Sequence, residues 1–504
     1  MMLMNRKSYT PTLIFLACFT VLYLIPVAAL DGNADVENAL KHLANDINKI
    51  LNTSLLKDTS VGIQIVSLNS HEVIYEHHPK TSLNPASNTK LLTSAVALVK
   101  LNPEYQFTTA AYIDGKLQNG VLAGDLYVKG GGDPALSYEG LLFLAREVYN
   151  AGVRTIAGNI VGDDSFFDAE REFSGWYDFD KVYSGKISAL SLNNNAVKLI
   201  IKPSARAGHS PEIILDPPTS YVKVQNKART LAARNGVYAS RLKSEVMEPD
   251  DAGEETLVVQ GKVSTASKSG VAAYVNIDDP SLFTTTTFKD ALAQVGINVG
   301  GSAVLGKLTK KSWRIAAYAS APLAHIICEA NKISSNFVAE QLLKTLGAEV
   351  LGPPGTTAKG LQVVQEFLAE LGIAPEAYVL ENGSGLSRNN RLSPEQIVAL
   401  LAYMYENFEV RSEFLASLAV AGVDGTLHRR LRDTQAERRL RAKTGAITGV
   451  SCLSGYAVSK DNEVFAFSIM MNDYRSGGYA VKEIQNKIGL LLTEFCRQTY
   501  QARR

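Results

Sequence analysis

The chain has 504 residues, of which 51 are lysine or arginine, 50 are acidic and 46% are apolar. This length is too great for one simple core and implies two or three domains, each with enough apolar residues to bury. A formal net charge of +1 leaves no electrostatic footprint for nucleic acid or for a strongly acidic partner.

The N-terminus reads as a secretory signal over 1–29. Arg6 and Lys7 precede an apolar run over 13–30 that ends in the small residues Val27, Ala28 and Ala29. Cleavage after Ala29 would export the mature chain, although a run of ~18 apolar residues is also long enough for an uncleaved anchor. Cys18 lies inside the run and is not read as a lipid-attachment site. Helical periodicity over 37–56 gives way to alternation over 61–75 with a turn at Asn69 and Ser70, a helix followed by a hairpin.

The stretch "NPASNTKLLTSAVALV" begins at Asn84. Asn84 and Pro85 end extended structure and 91–99 read as a buried helix, which puts Ser87 at a helix N-terminus. Ser87 and Lys90, three residues apart, share one helix face. A serine hydroxyl needs a base to become a nucleophile, and a lysine serves if burial and a second cation lower its pKa. Backbone N–H groups at the helix start are available to stabilise an oxyanion. The same spacing recurs at Ser54 and Lys57, Ser220 and Lys223, and Ser240 and Lys243. Only at Ser87 does it open an apolar helix.

Over 102–266 the texture turns to short β-rich runs broken by glycine, asparagine and aspartate, as an inserted, mostly β region would. From 278 onward helical periodicity returns, notably over 285–295 and 321–347. The second of these contains Ser334, Ser335 and Asn336, a hydroxyl and an amide suited to moving a proton and holding a carbonyl. A serine two residues before an asparagine also occurs at Ser67, Ser82, Ser191 and Ser387, so order and setting are what favour Ser334. A loop rich in proline and glycine follows at 351–357.

Lys443, Thr444 and Gly445 enter the first strand of a C-terminal hairpin, whose strands at 450–458 and 463–471 flank a turn at Lys460, Asp461 and Asn462. Gly445 lets a substrate backbone lie close, Lys443 supplies charge and Thr444 a hydroxyl for a carboxylate. Lys268, Ser269 and Gly270 look similar but precede no such strand pair. A final helix over 480–499 carries an apolar stripe (Val481, Ile484, Ile488, Leu491, Leu492, Phe495) read as core. The mature chain keeps Cys328, Cys452 and Cys496, enough for one bridge at most, and they are read as free thiols in apolar segments. No H-E-x-x-H or C-x-x-C occurs, so neither metal nor cofactor is expected.

The three motifs stand in the order found in penicillin-interacting serine enzymes. Over nearly all of its mature length the chain resembles the class C low-molecular-mass penicillin-binding proteins, the D-alanyl-D-alanine carboxypeptidase/endopeptidase family. "DLYVKGGGDPALS" at Asp125, "SALSLNNNAV" at Ser188, "NGSGLSRNNRLSP" at Asn382, "GVDGTLHRRL" at Gly422 and the long gap from Ser87 to Ser334 carry the likeness.

The resemblance implies an α/β (α+β) fold. Its β-lactamase/penicillin-binding transpeptidase-like core, an antiparallel sheet between helices plus an all-helical lobe, would be built from 31–101 and 267–504. A mostly β insert of two small domains would comprise 102–120 with 200–266, and 121–199. Ser87 would be the acylated nucleophile and Lys90 its base, with Ser334 and Asn336 beside Lys443, Thr444 and Gly445. The N–H groups of Ser87 and Ala446 would form the oxyanion hole. Arg388 would lie near the stem peptide, and Asp180 would read the ammonium of a diaminopimelate side chain, although Asp178 stands where the family usually has an aromatic residue. The implied activity is serine D,D-peptidase action on peptidoglycan stem peptides in the periplasm or cell envelope, with β-lactams as inhibitors. No E-x-x-L-N lies between Asn336 and Lys443, which argues against a β-lactamase. A catalytically silent envelope protein that binds peptidoglycan or β-lactam is the alternative. A homo-oligomer is compatible with the sequence, which carries no signal for or against one.

Overall fold

Strands from the two ends of the chain meet in one antiparallel sheet of six, in the order Ala419–Val420, Leu440–Ile447, Val450–Val458, Val464–Asn472, Ser60–Ser67, Val73–His77. The computed structural model describes residues 31–175, 185–233, 241–247, 255–475 and 477–497. The proposed signal at 1–29 and Asp180 lie outside the described residues. Among the described residues no helix is long and apolar enough to cross a membrane.

The central strand Val464–Asn472 is buried on both faces and reads as a near-continuous apolar run. Phe465, Phe467, Ile469 and Met471 pack with Ala39, Leu43 and Ile47 of the helix Asp31–Leu51 and with Val481, Ile484, Ile488 and Leu492 of the helix Gly478–Glu494. Ala466 points the other way, into a second core made by the helices Thr89–Leu101, Asn336–Leu351, Thr357–Glu370 and Pro394–Glu406. The expected layers, sheet between helices with an all-helical lobe on one side, are present.

Among the described residues the insert holds three sheets on one contiguous core, to which Ile113, Leu199, Val259 and Phe288 all contribute. The helices Tyr138–Asn150 and Pro280–Gln294 also belong to it. Its extent differs from the sequence reading, which returned to the main domain at 267. Val271–Asn276 pairs with Ala196–Lys202 and Trp313–Ala319 pairs with Thr108–Gln118, so the insert runs on to about 319. The helix Pro280–Gln294 buries Phe283, Phe288, Ala291 and Leu292 in the insert's core, and helical spacing of such residues looks the same in sequence whichever core it joins. Cuts at 120 and 199 also miss structural joints: the first falls in the hairpin between Thr108–Gln118 and Val121–Lys129, the second inside Ala196–Lys202. The chain leaves and re-enters side by side, since Phe107 and Ser320 exchange hydrogen bonds of 3.0 and 2.9 Å.

Candidate active site

The turn Ala86–Asn88 is a short 3-10 segment that runs directly into the helix Thr89–Leu101, so Ser87 stands just ahead of the α-helix and Lys90 in its first turn. Ala86 has φ +44°, and the adjoining Asn84 side chain fixes the bend by accepting the Ala86 N–H at 2.8 Å. The Lys90 amine has three neighbours: the Ser87 hydroxyl at 3.1 Å, Asn336 Oδ1 at 2.7 Å and the Ser384 carbonyl at 2.6 Å. Burial of Lys90 lowers its pKa to about 7, with the Glu340 carboxylate opposing the shift. A neutral amine has two N–H groups and one lone pair. The two pure acceptors take the N–H groups, which leaves the lone pair for the proton of Ser87.

Ser334 lies between two helical segments rather than within a helix. It follows the π turn Glu329–Ile333 and adopts the left-handed conformation, φ 68° and ψ 36°, with Asn336 opening the next helix. A π turn followed by a left-handed non-glycine residue marks a site held by its surroundings. Here the hold is Lys443, whose amine donates to Ser334 Oγ at 2.8 Å and to the Thr444 carbonyl at 2.9 Å. Burial, and secondarily the neighbouring Lys90, keep the Lys443 amine well below the ordinary lysine range.

Lys443, Thr444 and Gly445 form the middle of a strand of their own, Leu440–Ile447, paired with Val450–Val458 across the two-residue turn Thr448–Gly449. On the outer side Arg441 and Ala442 meet another strand, and from Lys443 onward that edge carries no strand partner among the described residues. In a two-residue hairpin the flanking pair, Ile447 and Val450, is hydrogen-bonded, so Ala446 directs its N–H to the open edge. The protein's own backbone already requires Gly445: a Cβ there would lie 2.6 Å from the Pro85 carbonyl. Ser87, Ser334, Asn336, Thr444, Gly445 and Ala446 line one cleft of about 640 Å³. Arg388 is exposed outside that lining and donates to the Thr448 carbonyl at 3.4 Å, beside the far end of the strand.

Two residues went unread in the sequence. Ser384 contributes only its carbonyl, which no motif can announce. Glu340 follows Asn336 by one helical turn, and its buried carboxylate accepts the N–H groups of Gly383 at 3.2 Å and Ser384 at 2.7 Å, holding the loop whose carbonyl receives Lys90. The i, i+4 spacing from Asn336 was the available signal. Glu340→Gln is expected to turn an amide donor against one of these N–H groups and to cost about 1–3 kcal/mol, read as a lowered thermal midpoint. An unchanged midpoint would show that the carboxylate does not hold this loop. Cys328, Cys452 and Cys496 are free thiols, and burial pushes Cys452, opposite Gly445, up to about 12.

Residues 43–495 match the D-Ala-D-Ala carboxypeptidase 3 (S13) family. The chain is 33% identical over 500 residues to a D-alanyl-D-alanine carboxypeptidase of Actinomadura sp. (strain R39), covering 95% of this chain and 90% of that one. Its fold is similar to the crystal structure of penicillin binding protein 4 (dacB) from Haemophilus influenzae, with TM-score 0.73 and 24% identity over 88% of this chain and 98% of that one. A complex of that protein with a β-lactam gives TM-score 0.69 and 23% identity over 89% and 99% of the two chains. With the match spanning the sheet, the lobe and the insert alike, the chain belongs to the D-Ala-D-Ala carboxypeptidase 3 (S13) family of serine-type hydrolases.

Proposed function

We propose that the protein hydrolyses the bond between two D-alanines of a peptidoglycan stem peptide through an acyl-enzyme on Ser87. The observation that carries this reading is the surroundings of Lys90: two acceptors and one hydroxyl around a buried amine with a pKa of about 7. Ser87 Oγ attacks the carbonyl carbon while its proton passes to Lys90. The substrate backbone lies along the open edge from Lys443, with the oxyanion facing the N–H groups of Ser87 and Ala446. The Ser334 hydroxyl gives its proton to the leaving amine and is reprotonated by the proton that Lys90 took from Ser87, which frees Lys90 again, while Thr444 faces the carboxylate of the leaving group. Water then attacks the ester, losing one proton to Lys90, which passes it to Ser87 Oγ as the ester breaks, and Ser87 is restored. A β-lactam enters as an acyl donor whose leaving amine stays attached. Arg388, tethered beside the end of the strand, is the proposed contact for the stem peptide, and Asp180 the proposed partner of its ammonium. The substrate places the enzyme in the cell envelope or periplasm, after export through 1–29.

Purified muropeptides, monomeric and cross-linked, should lose terminal D-alanine or separate into monomers on incubation, as read by mass. If neither changes, the proposal fails. The pH dependence has a defined sign. The productive form of Lys90 is the neutral amine, with a pKa of about 7, so acylation should rise with pH. Between pH 5 and 6 the rise should be about tenfold, with a plateau above neutrality. The rate of labelling by a fluorescent penicillin measures this, and a flat profile would reject Lys90 as the base.

A further inference from the structure

The cleft does not end at the reacting groups. Beyond Thr444 its lining continues through Thr426, His428, Arg430, Ser451 and Lys482, with Lys332 at the side, and among the described residues no acidic side chain belongs to it. The continuation is built into the strand. Along Leu440–Ile447 successive side chains alternate: Lys443 and Gly445 face the serine turn, while Thr444 and Ala446 share the opposite face with their partners Leu453 and Ser451. Thr444 Oγ1 donates to Thr426 Oγ1 at 2.9 Å, and the turn Gly425–Leu427 leads directly into His428 and Arg430.

The charges at this end are not equivalent. Lys332 is neutralised by Asp424 at 2.5 Å. Arg430 is fixed to the helix Gly478–Glu494: its Nε donates to Asn486 Oδ1 at 2.9 Å, and its Nη2 donates to Gln485 Oε1 at 3.2 Å and to the Lys482 carbonyl at 3.3 Å. Those three acceptors are neutral, so the guanidinium keeps its charge uncompensated by contact. Burial brings its pKa down to about 10, with Glu483 opposing, and it remains a cation at neutral pH. Lys482 is exposed on the same helix, and His428 is exposed across from it. The carboxylate of Glu483 accepts from Asn486 Nδ2 at 3.1 Å and lies outside the lining.

We propose that Arg430, Lys482 and His428 form an anion subsite for the leaving group, and that it accepts a leaving amine carrying two or more carboxylates. This rests on the reading of Ser87 as nucleophile and of Thr444 as the side on which the leaving group departs. One carboxylate on the departing residue is met at Thr444; the cations beyond it are in excess of what a single D-alanine needs. A departing second stem peptide, as released from a cross-link, carries that additional negative charge. The subsite thereby shifts the enzyme's preference from trimming single chains toward opening cross-links.

The test uses the full-length Ser87→Ala protein, which binds without turnover, titrated calorimetrically at low salt with diacetyl-L-lysyl-D-alanyl-D-glutamate and with diacetyl-L-lysyl-D-alanyl-D-alanine, which differ by the one additional carboxylate. The dicarboxylate peptide should bind about tenfold tighter or more, a range reached by complementary charge in a partly desolvated site. Adding Lys482→Gln and His428→Gln, both exposed positions, should bring that preference to about threefold or less. No preference in the Ser87→Ala protein, or a preference unmoved by the two substitutions, overturns the subsite. Penicillin labelling of the protein that retains Ser87 reports separately on the nucleophile.

Discussion

Ser87→Ala protein, incubated with a fluorescent penicillin, should carry no covalent label, and release of D-alanine should fall by at least ~10⁴-fold. Folding should survive, because the hydroxyl holds little of the local structure. Lys90 keeps Asn336 Oδ1 at 2.7 Å and the Ser384 carbonyl at 2.6 Å. The turn itself is held from outside by Asn84 and Asn472, which exchange hydrogen bonds of 2.7 and 3.1 Å. What disappears is the oxygen that forms the ester. Label on the variant would move the nucleophile elsewhere.

Lys90→Met should retain Ser87 yet slow its acylation by 10²–10⁴-fold, roughly the contribution of a positioned general base. Methionine is the preferred replacement, since it approximates the volume of a side chain that is 0% exposed and avoids the cavity that alanine would leave. Two acceptors, on Asn336 and Ser384, lose their donor, so a modest loss of stability accompanies the kinetic effect. The substitution also removes the neighbouring amine that helps depress Lys443, so the pKa of Lys443 should rise. Residual acylation in the variant should therefore lose the wild-type rise near neutrality. Normal labelling kinetics would remove Lys90 from the mechanism.

The parts of this site that the sequence disclosed are those whose chemistry is local. Ser87 and Lys90 are one helical turn apart, and Lys443, Thr444 and Gly445 are consecutive. Spacing put Ser87 and Lys90 within reach of each other; the resemblance to the penicillin-interacting enzymes is what joined them to Lys443, Ser334 and Asn336. The supporting groups became visible only through folding. Ser384 meets Lys90 across 294 residues through a carbonyl that every residue possesses, and Glu340 acts by holding that carbonyl's loop. Gly445 has a further reason that only the fold shows, because a side chain there would meet the Pro85 carbonyl. The sheet and lobe were legible because Val464–Asn472 and Thr89–Leu101 are strongly apolar runs, buried nearly throughout. The return from the insert was not, because Pro280–Gln294 buries Phe283 and Phe288 against strands that only the fold identifies as neighbours.

The outer edge of this strand, Leu440–Ile447, from Lys443 onward, which no described strand covers, sets a constraint on how the protein can change. An extended ligand anchored there, as proposed above, is gripped by amide and carbonyl groups rather than by side chains, so among single replacements only proline, which lacks the N–H, removes a donor from that edge. An antibiotic shaped to that edge cannot be refused without also refusing the natural peptide. Escape must then come from elsewhere, through faster discharge of the blocked serine or through selectivity at the far, cationic end of the groove.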